Sequence, residues 1–254
     1  MQQWKLYDDL INSIPDNLTV TGCNTGYCWT SVASCEGGFG VAKTIPVHSI
    51  PYRFEGDIAG TSLKEIAKLS KSWNYIEAAI GVAAIGAYYN KPERADNFGV
   101  ENHSDKRKNI TAFERYRDEV KGAKVTVVGR FPGLKENFGT VCDLTILERD
   151  PQFGDFPDPA CEYILNEQDY VFITGCTLVN KTMPRLIELS KNAKTVIVGP
   201  STIMSQIMFE HGVYGLSGLI IRDAARCDAA IRGGNPPLLF DAGEMVSFVR
   251  QAKP

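Results

Sequence analysis

Histidine is scarce in this chain: the three in 254 residues, His48, His103 and His211, stand far apart, with no H-E-x-x-H or similar spacing. The seven cysteines contain no C-x2-C pair, and Cys23, Cys28 and Cys35 stand five and seven positions apart, so no protein-built metal site is expected. An odd cysteine count without a secretory signal argues for reduced thiols rather than a disulfide framework. Neither sign of charge is in excess. The formal net charge of -3 argues against a nucleic-acid partner, and the one basic run, Lys106 to Lys108 beside Asp105, reads as a solvated loop. No apolar run is long enough to span a bilayer; the most apolar segment, Ile76 to Tyr89, has Glu77 near its start and reads as a core helix. The opening MQQWKLYDDLINSIPDN lacks a basic start and a long apolar stretch, so a signal peptide is not expected and the chain is placed in the cytoplasm.

What is present is an ordinary globular composition, 44% hydrophobic and 22% charged, in a length that suits two domains. The most informative stretch runs from Tyr170 to Thr202. YVFITG and TVIVGP are short apolar runs that read as buried strands, and the segment between them reads as a crossover helix. Asn180 or Thr182 caps that helix, Pro184 falls in its first turn, and Met183, Leu186, Ile187 and Ser190 form its inward face. A βαβ unit has parallel strands, and open parallel sheets bind ligands beyond the carboxyl ends of their strands. Here those ends carry Thr174, Gly175, Thr177, Asn180 and Thr182, then Gly199, Pro200, Ser201 and Thr202. Such residues also dominate plain turns, so turn chemistry alone accounts for them equally well.

In chain order, a helix over about Gln3 to Ile14 precedes two β-type runs separated by Asn24, Thr25 and Gly26, and a third in GGFGVAKTI, which together read as an antiparallel meander. Ser62 with Glu65 suggests a capping box, and Asn74 with Glu77 repeats the signal ahead of IEAAIGVAAIGAYY, whose Gly81 and Gly86 permit close backbone approach. Strands followed by helices describe an α+β domain over residues 1–120. The pattern then changes, with a boundary between Asn109 and Lys124. KVTVVG, DLTILER, YVFITG, TVIVGP and LSGLII alternate with helices and describe a doubly wound parallel α/β sheet over residues 121–254.

The first of these strands ends in Gly129. A dinucleotide fingerprint needs a second glycine where Phe131 stands, so NAD binding is disfavoured. Glu148, nineteen positions on, ends the second strand where a ribose-binding acid would stand, compatible with a nucleoside or S-adenosylmethionine type ligand; an exposed charge paired with Arg130 or Arg149 is the competing reading. Asp150 and Asp155 are free to face the crevice, whereas Asp158 reads as a helix cap. Glu148, Asp150 and Asp155 are therefore the acid/base candidates. Cys176 has no histidine nearby in sequence to activate it.

VVGRFPGL, LERDP, ITGCTLVNKT and VGPST together resemble the signatures of a family described in terms of heavy-metal chelation, the DUF364 family with an N-terminal DUF4213 domain. The resemblance covers nearly the whole chain. It implies an enolase N-terminal-like domain followed by a Rossmann-like domain similar to methyltransferases, with a site at their junction. It also leads one to expect an asparagine near Gly86, which this chain lacks, although Asn90 lies one turn on. The expected ligand is a small chelator-like or heterocyclic molecule, held between the strand-end loops and first-domain polar groups such as Thr44, Glu55 or Asn90. Two classes of function follow: an enzyme acting by condensation or hydrolysis, and a module that sequesters a chelator without turnover. The sequence specifies no cofactor, no membrane partner is expected, and self-association is open.

Overall fold

A computed structural model describes residues 4–47, 49–96 and 111–250. His48, His103, the Lys106 to Lys108 run, Gln3 at the start of the first expected helix and the Asn109 end of the boundary lie outside the described residues. Helix α1 (Lys5–Asn12) buries Leu6, Tyr7, Leu10 and Ile11 along one stripe. Strands β1 (Val20–Thr25), β2 (Trp29–Ser34) and β3 (Phe39–Lys43) form the antiparallel meander, with Cys23 opposite Val32 and Trp29 opposite Lys43. The turn lies later than expected: Asn24 and Thr25 remain in β1, paired with Ser31 and Thr30, and the Gly26 N–H closes it by donating to the Trp29 carbonyl at 2.9 Å.

Helix α2 (Leu63–Ala67) starts at Ser62, but the expected capping box does not form. The Ser62 side chain caps nothing, and Glu65 pairs instead with Lys68 one turn on. Helix α3 (Tyr75–Tyr89) is capped by Asn74, whose side chain accepts from the Ile76 and Glu77 N–H groups, each at 3.0 Å. It is buried on all sides and lies directly on β3 and on the turn before it. A Cβ on Gly40 of β3 would stand 2.1 Å from the Ala83 carbonyl oxygen, and one on Gly81 would stand 1.9 Å from the Ser70 nitrogen, so both contacts depend on glycine. Gly86 faces the Gly40 backbone in the same seam, which leaves no room there for an asparagine side chain. Helix α4 (Pro92–Asp96) follows.

The second sheet is built from β4 (Lys124–Val128), β5 (Asp143–Glu148), β6 (Phe156–Pro157), β7 (Tyr170–Thr174), β8 (Lys194–Val198), β9 (Gly215–Ile221) and β10 (Gly243–Val249). Its order is β10-β9-β8-β7-β4-β5-β6, parallel except for β10. Around it run α5 (Thr111–Tyr116), α6 (Leu134–Phe138), α7 (Cys161–Ile164), α8 (Met183–Leu189), α9 (Gln206–Glu210) and α10 (Ala224–Arg232). All five expected strands are present, and two more join them. β6 is a two-residue edge pairing Phe156 with Leu147, too short to give a period. β10 carries Glu244 and Ser247 within its apolar run, which hides its strand character.

Strand β7 shows how the sheet is buried. Val171 and Ile173 face one apolar cluster, while Tyr170 and Phe172 face another with Phe113, Tyr116 and Phe138. The first cluster does not stop at the meander: Leu6, Tyr7, Leu10 and the α3 side chains share it with Leu178, Met183, Met208 and Phe248. A third joins Phe39 and Val41 of β3 to Leu219, Ile231 and Leu239. The two sheets are separate, but their cores are continuous. No helix among the described residues is long and apolar enough to cross a membrane.

Candidate functional site

The order of the parallel strands reverses between β4 and β7, so the loops after them diverge and open a crevice at the carboxyl edge. Two glycines shape this edge. Gly129 after β4 has φ 105° and Gly199 after β8 has φ 102°, a region closed to most side chains. Each keeps the ladder going by one bond, Gly129 N–H to the Leu147 carbonyl at 2.8 Å and Gly199 N–H to the Ser217 carbonyl at 2.9 Å, before the chain turns away. A Cβ on Gly129 would lie 2.9 Å from Thr174 Cγ2. The Phe131 ring reaches across both glycines, within 3.6 Å and 3.7 Å of where their Cβ atoms would be.

The crevice encloses a cavity of about 510 Å³. Its second-sheet wall includes Gly129, Arg130, Phe131, Glu148, Arg149, Asp158, Thr174, Cys176, Thr177, Asn180, Thr182, Gly199, Pro200 and Ser201. The first sheet contributes Trp29 and Lys43, cross-strand neighbours whose ammonium lies 5.2 Å from the indole centroid. Phe113, Phe240 and Met245 complete the apolar lining. The Lys43 N–H donates to Ser201 Oγ at 2.9 Å, so the two walls are bonded to each other at the rim.

Glu148 is oriented by backbone rather than by guanidinium groups: Oε2 accepts from the Arg130 N–H at 2.8 Å and Oε1 from the Arg149 N–H at 2.7 Å. One lone pair on each oxygen is left for a ligand donor. The guanidinium of Arg130 goes to Asp155, and that of Arg149 lies 3.4 Å from Asp158. Arg130 Nε has no partner among the described residues. Asn180 Oδ1 accepts from the Thr182 N–H at 3.1 Å and the Thr182 hydroxyl at 2.7 Å, which leaves the Asn180 amide nitrogen as a donor. Burial pushes the Cys176 thiol up, outweighing the Thr174 hydroxyl that donates to its sulfur at 3.3 Å, so Cys176 stays protonated at neutral pH.

The remaining candidates lie off the cavity wall. Gly175 backs onto the other loop, where its Cβ would stand 2.6 Å from the Thr202 nitrogen. Thr202 is fully buried with its hydroxyl unpartnered, and Asn90 clamps its loop by donating to the Thr202 carbonyl at 2.8 Å and accepting from the Met204 N–H at 2.9 Å. Thr44 is buried against the Thr30 hydroxyl at 2.9 Å, and its neighbour Lys43 reaches the cavity instead. Glu55 and Asp150 are exposed and outside the lining. Asp155 is locked by Arg130, Lys135 and the Gln152 N–H; burial pushes its carboxyl up, but these donors outweigh it and hold it below the ordinary value. Asp158 opens a 3-10 turn without capping it and faces Arg149 in the cavity. Trp29, Lys43, Phe113, Phe240 and Met245 were not indicated by sequence; Thr44, one position past Lys43, was the nearest signal.

No group of three or more His, Cys, Asp or Glu side chains among the described residues is placed to hold a metal. His211 is bonded to Asp9 at 2.8 Å.

An uncharacterized protein of Methanocaldococcus jannaschii is 29% identical over 194 residues, 70% of this chain and 68% of that one. A solved DUF364-family structure of unknown function from Desulfitobacterium hafniense matches with a TM-score of 0.89 at 40% identity, over 98% of this chain and 99% of that one. Another, from Pyrococcus horikoshii, shares the fold with a TM-score of 0.82 at 21% identity, over 98% and 100% of the two chains. Family models described as "Putative heavy-metal chelation" match residues 7–89, as DUF4213, and 111–249, as DUF364. The chain belongs to the DUF364 family.

Proposed function

We propose that this protein binds a small chelator-like or heterocyclic molecule in the crevice between its two sheets. The observation that carries the reading is the pairing of opposite wall chemistries around one cavity. Glu148 is held by two backbone N–H groups with lone pairs to spare, and aromatic side chains with Lys43 line the same cavity. A flat ring system fits between Phe131, Trp29 and Phe240, its N–H or O–H groups donating to Glu148 and its anionic groups meeting Lys43. A metal would enter already held by its chelator. The family description in terms of heavy-metal chelation agrees with this ligand class.

The finer fold reading belongs here as well. Counted from β4, the six parallel strands take the order 3-2-1-4-5-6, which supports a Rossmann-like second domain; we read the meander with α2 and α3 as enolase N-terminal-like. Glu148 at the end of the second of these strands also suits a ribose diol, which keeps a nucleoside or S-adenosylmethionine type ligand as the second reading.

Native mass spectrometry of the purified protein is expected to reveal a retained small molecule. Calorimetry with that molecule should give weaker binding in Asn180→Ala, by about 1 to 2 kcal/mol if its bond is buried. Unchanged affinity in both Asn180→Ala and Glu148→Gln, with the fold intact, would remove the crevice from consideration. Turnover by condensation or hydrolysis would place the proton transfer on Glu148, and Glu148→Gln would then abolish product formation while ligand is still bound.

A further inference from the structure

Between Asn180 and Thr182, both on the cavity wall, stands Lys181, which is not on it. Among the described residues it is the one non-glycine with positive φ, at 68°. Its ammonium donates to the Val179 carbonyl at 2.8 Å and lies 5.9 Å from the Trp73 ring and 5.6 Å from the Tyr75 ring, both in the first domain. The seat is partly open to solvent, with Trp73 54% exposed, but its members are tied to their neighbours. Trp73 packs edge-on against Trp4 at 5.9 Å, and Asn74, between the two aromatics, donates from its side chain to the Ile50 carbonyl at 2.7 Å. Burial lowers the Lys181 pKa to about 7, against the attraction of Glu77. A strained backbone and a desolvated amine at one residue are two local costs, and such places are where function overrides stability.

We propose that Lys181 is a positioning residue: its ammonium, held against Trp73 and Tyr75, fixes the turn that presents Asn180 and Thr182 to the cavity. The inference rests on the crevice being the ligand site. It makes the first domain a determinant of the second domain's loop geometry, and it links ligand affinity to the charge on Lys181. From α3 the groups near the amine are the Tyr75 ring and Glu77. The Glu77 carboxyl, raised by burial, is lowered further by the Ser72 hydroxyl and the Arg53 and Phe54 N–H groups, so it stays ionised at neutral pH. Beyond Trp73 and Trp4 lie Lys71 and Asp8, bonded to each other, and Tyr7, whose hydroxyl is tied to the Leu178 carbonyl and pushed well above its ordinary pKa. Loss of the Lys181 proton weakens the cation–π contacts and loosens the turn.

The test pairs a direct readout of the turn with binding of a probe, the naphthalene sulfonate dye 1-anilinonaphthalene-8-sulfonate, whose rings and anionic group match the aromatic lining and Lys43. In the wild type, the Asn180 side-chain amide and Thr182 backbone amide resonances should titrate with an inflection near pH 7, and dye affinity should fall through the same range. Lys181→Met should abolish both pH dependences and weaken the dye on the order of fivefold; Lys181→Arg, permanently charged, should restore affinity with a flat pH profile. Amide resonances that titrate identically in Lys181→Met and wild type overturn the inference. Dye binding weakened by Asn180→Ala but not by Lys181→Met overturns this inference alone, whereas dye binding indifferent to both overturns the crevice reading beneath it.

Discussion

The two walls of the crevice are held in different ways. The second-sheet wall is mostly backbone: strand ends, two glycines at positive φ and small polar residues, each tied into the ladder or to its neighbour by a bond of known direction. The first-sheet wall is one cross-strand pair of large side chains, Trp29 and Lys43, held in place because β3 lies directly on α3. A backbone wall sets the position of donors and acceptors; a side-chain wall sets width and charge and can be altered without disturbing the sheet behind it.

That comparison breaks first at the glycine seam. Gly40→Ala drives a methyl into the Ala83 carbonyl and should lower stability by about 3 kcal/mol, read by chemical denaturation, and displace Lys43 with β3. On the other wall, Asn90→Ala removes both bonds that fix the Thr202–Met204 backbone and should cost about 2 kcal/mol. Crystallography of the variant should show the Gly199–Thr202 loop displaced while Trp29 and Lys43 stay in place. Smaller again is Lys181→Met, and its sign depends on pH. The folded pKa of about 7 lies below the ordinary 10.5, so between these values the unfolded chain binds more protons and wild-type stability rises with pH. The variant lacks that penalty. Its melting temperature should exceed the wild type's most at or below pH 7, and the gain should vanish as pH approaches 10.5. Least is Lys43→Met, which leaves the fold within about 0.5 kcal/mol because the side chain lines an open cavity. Dye affinity should nevertheless drop, and an unchanged affinity would show that the first-sheet wall supplies shape alone.

The second-sheet wall was also the more legible in the sequence, because a parallel sheet sends all its strand ends to one edge. The apolar runs ending in Gly129, Thr174 and Gly199 therefore point to loops that line the cavity. What they did not reveal was which of two adjacent side chains turns inward. Ser201 lines the cavity while Thr202 is buried behind it, and Lys43 lines it while Thr44 packs on Thr30. Direction at a strand end depends on where the pleat stops, and one residue reverses it. The meander was readable as a meander, but either end of an antiparallel sheet can carry a site, so nothing marked Trp29. Asn90 was chosen for its chemistry one turn beyond Gly86; the structure gives it a buried clamp on the very loop expected to bind.

The continuous core has a consequence for how the chain is made. Tyr7 in the first helix bonds the carbonyl of Leu178, 171 positions later, and α1 packs on α9. At roughly 5 to 20 residues per second, the apolar stripe of α1 leaves the ribosome on the order of ten seconds or more before its cover is synthesised. The N-terminal half thus spends that interval with its share of the common core only partly covered, the state in which a chaperone would find it and a premature stop would strand it.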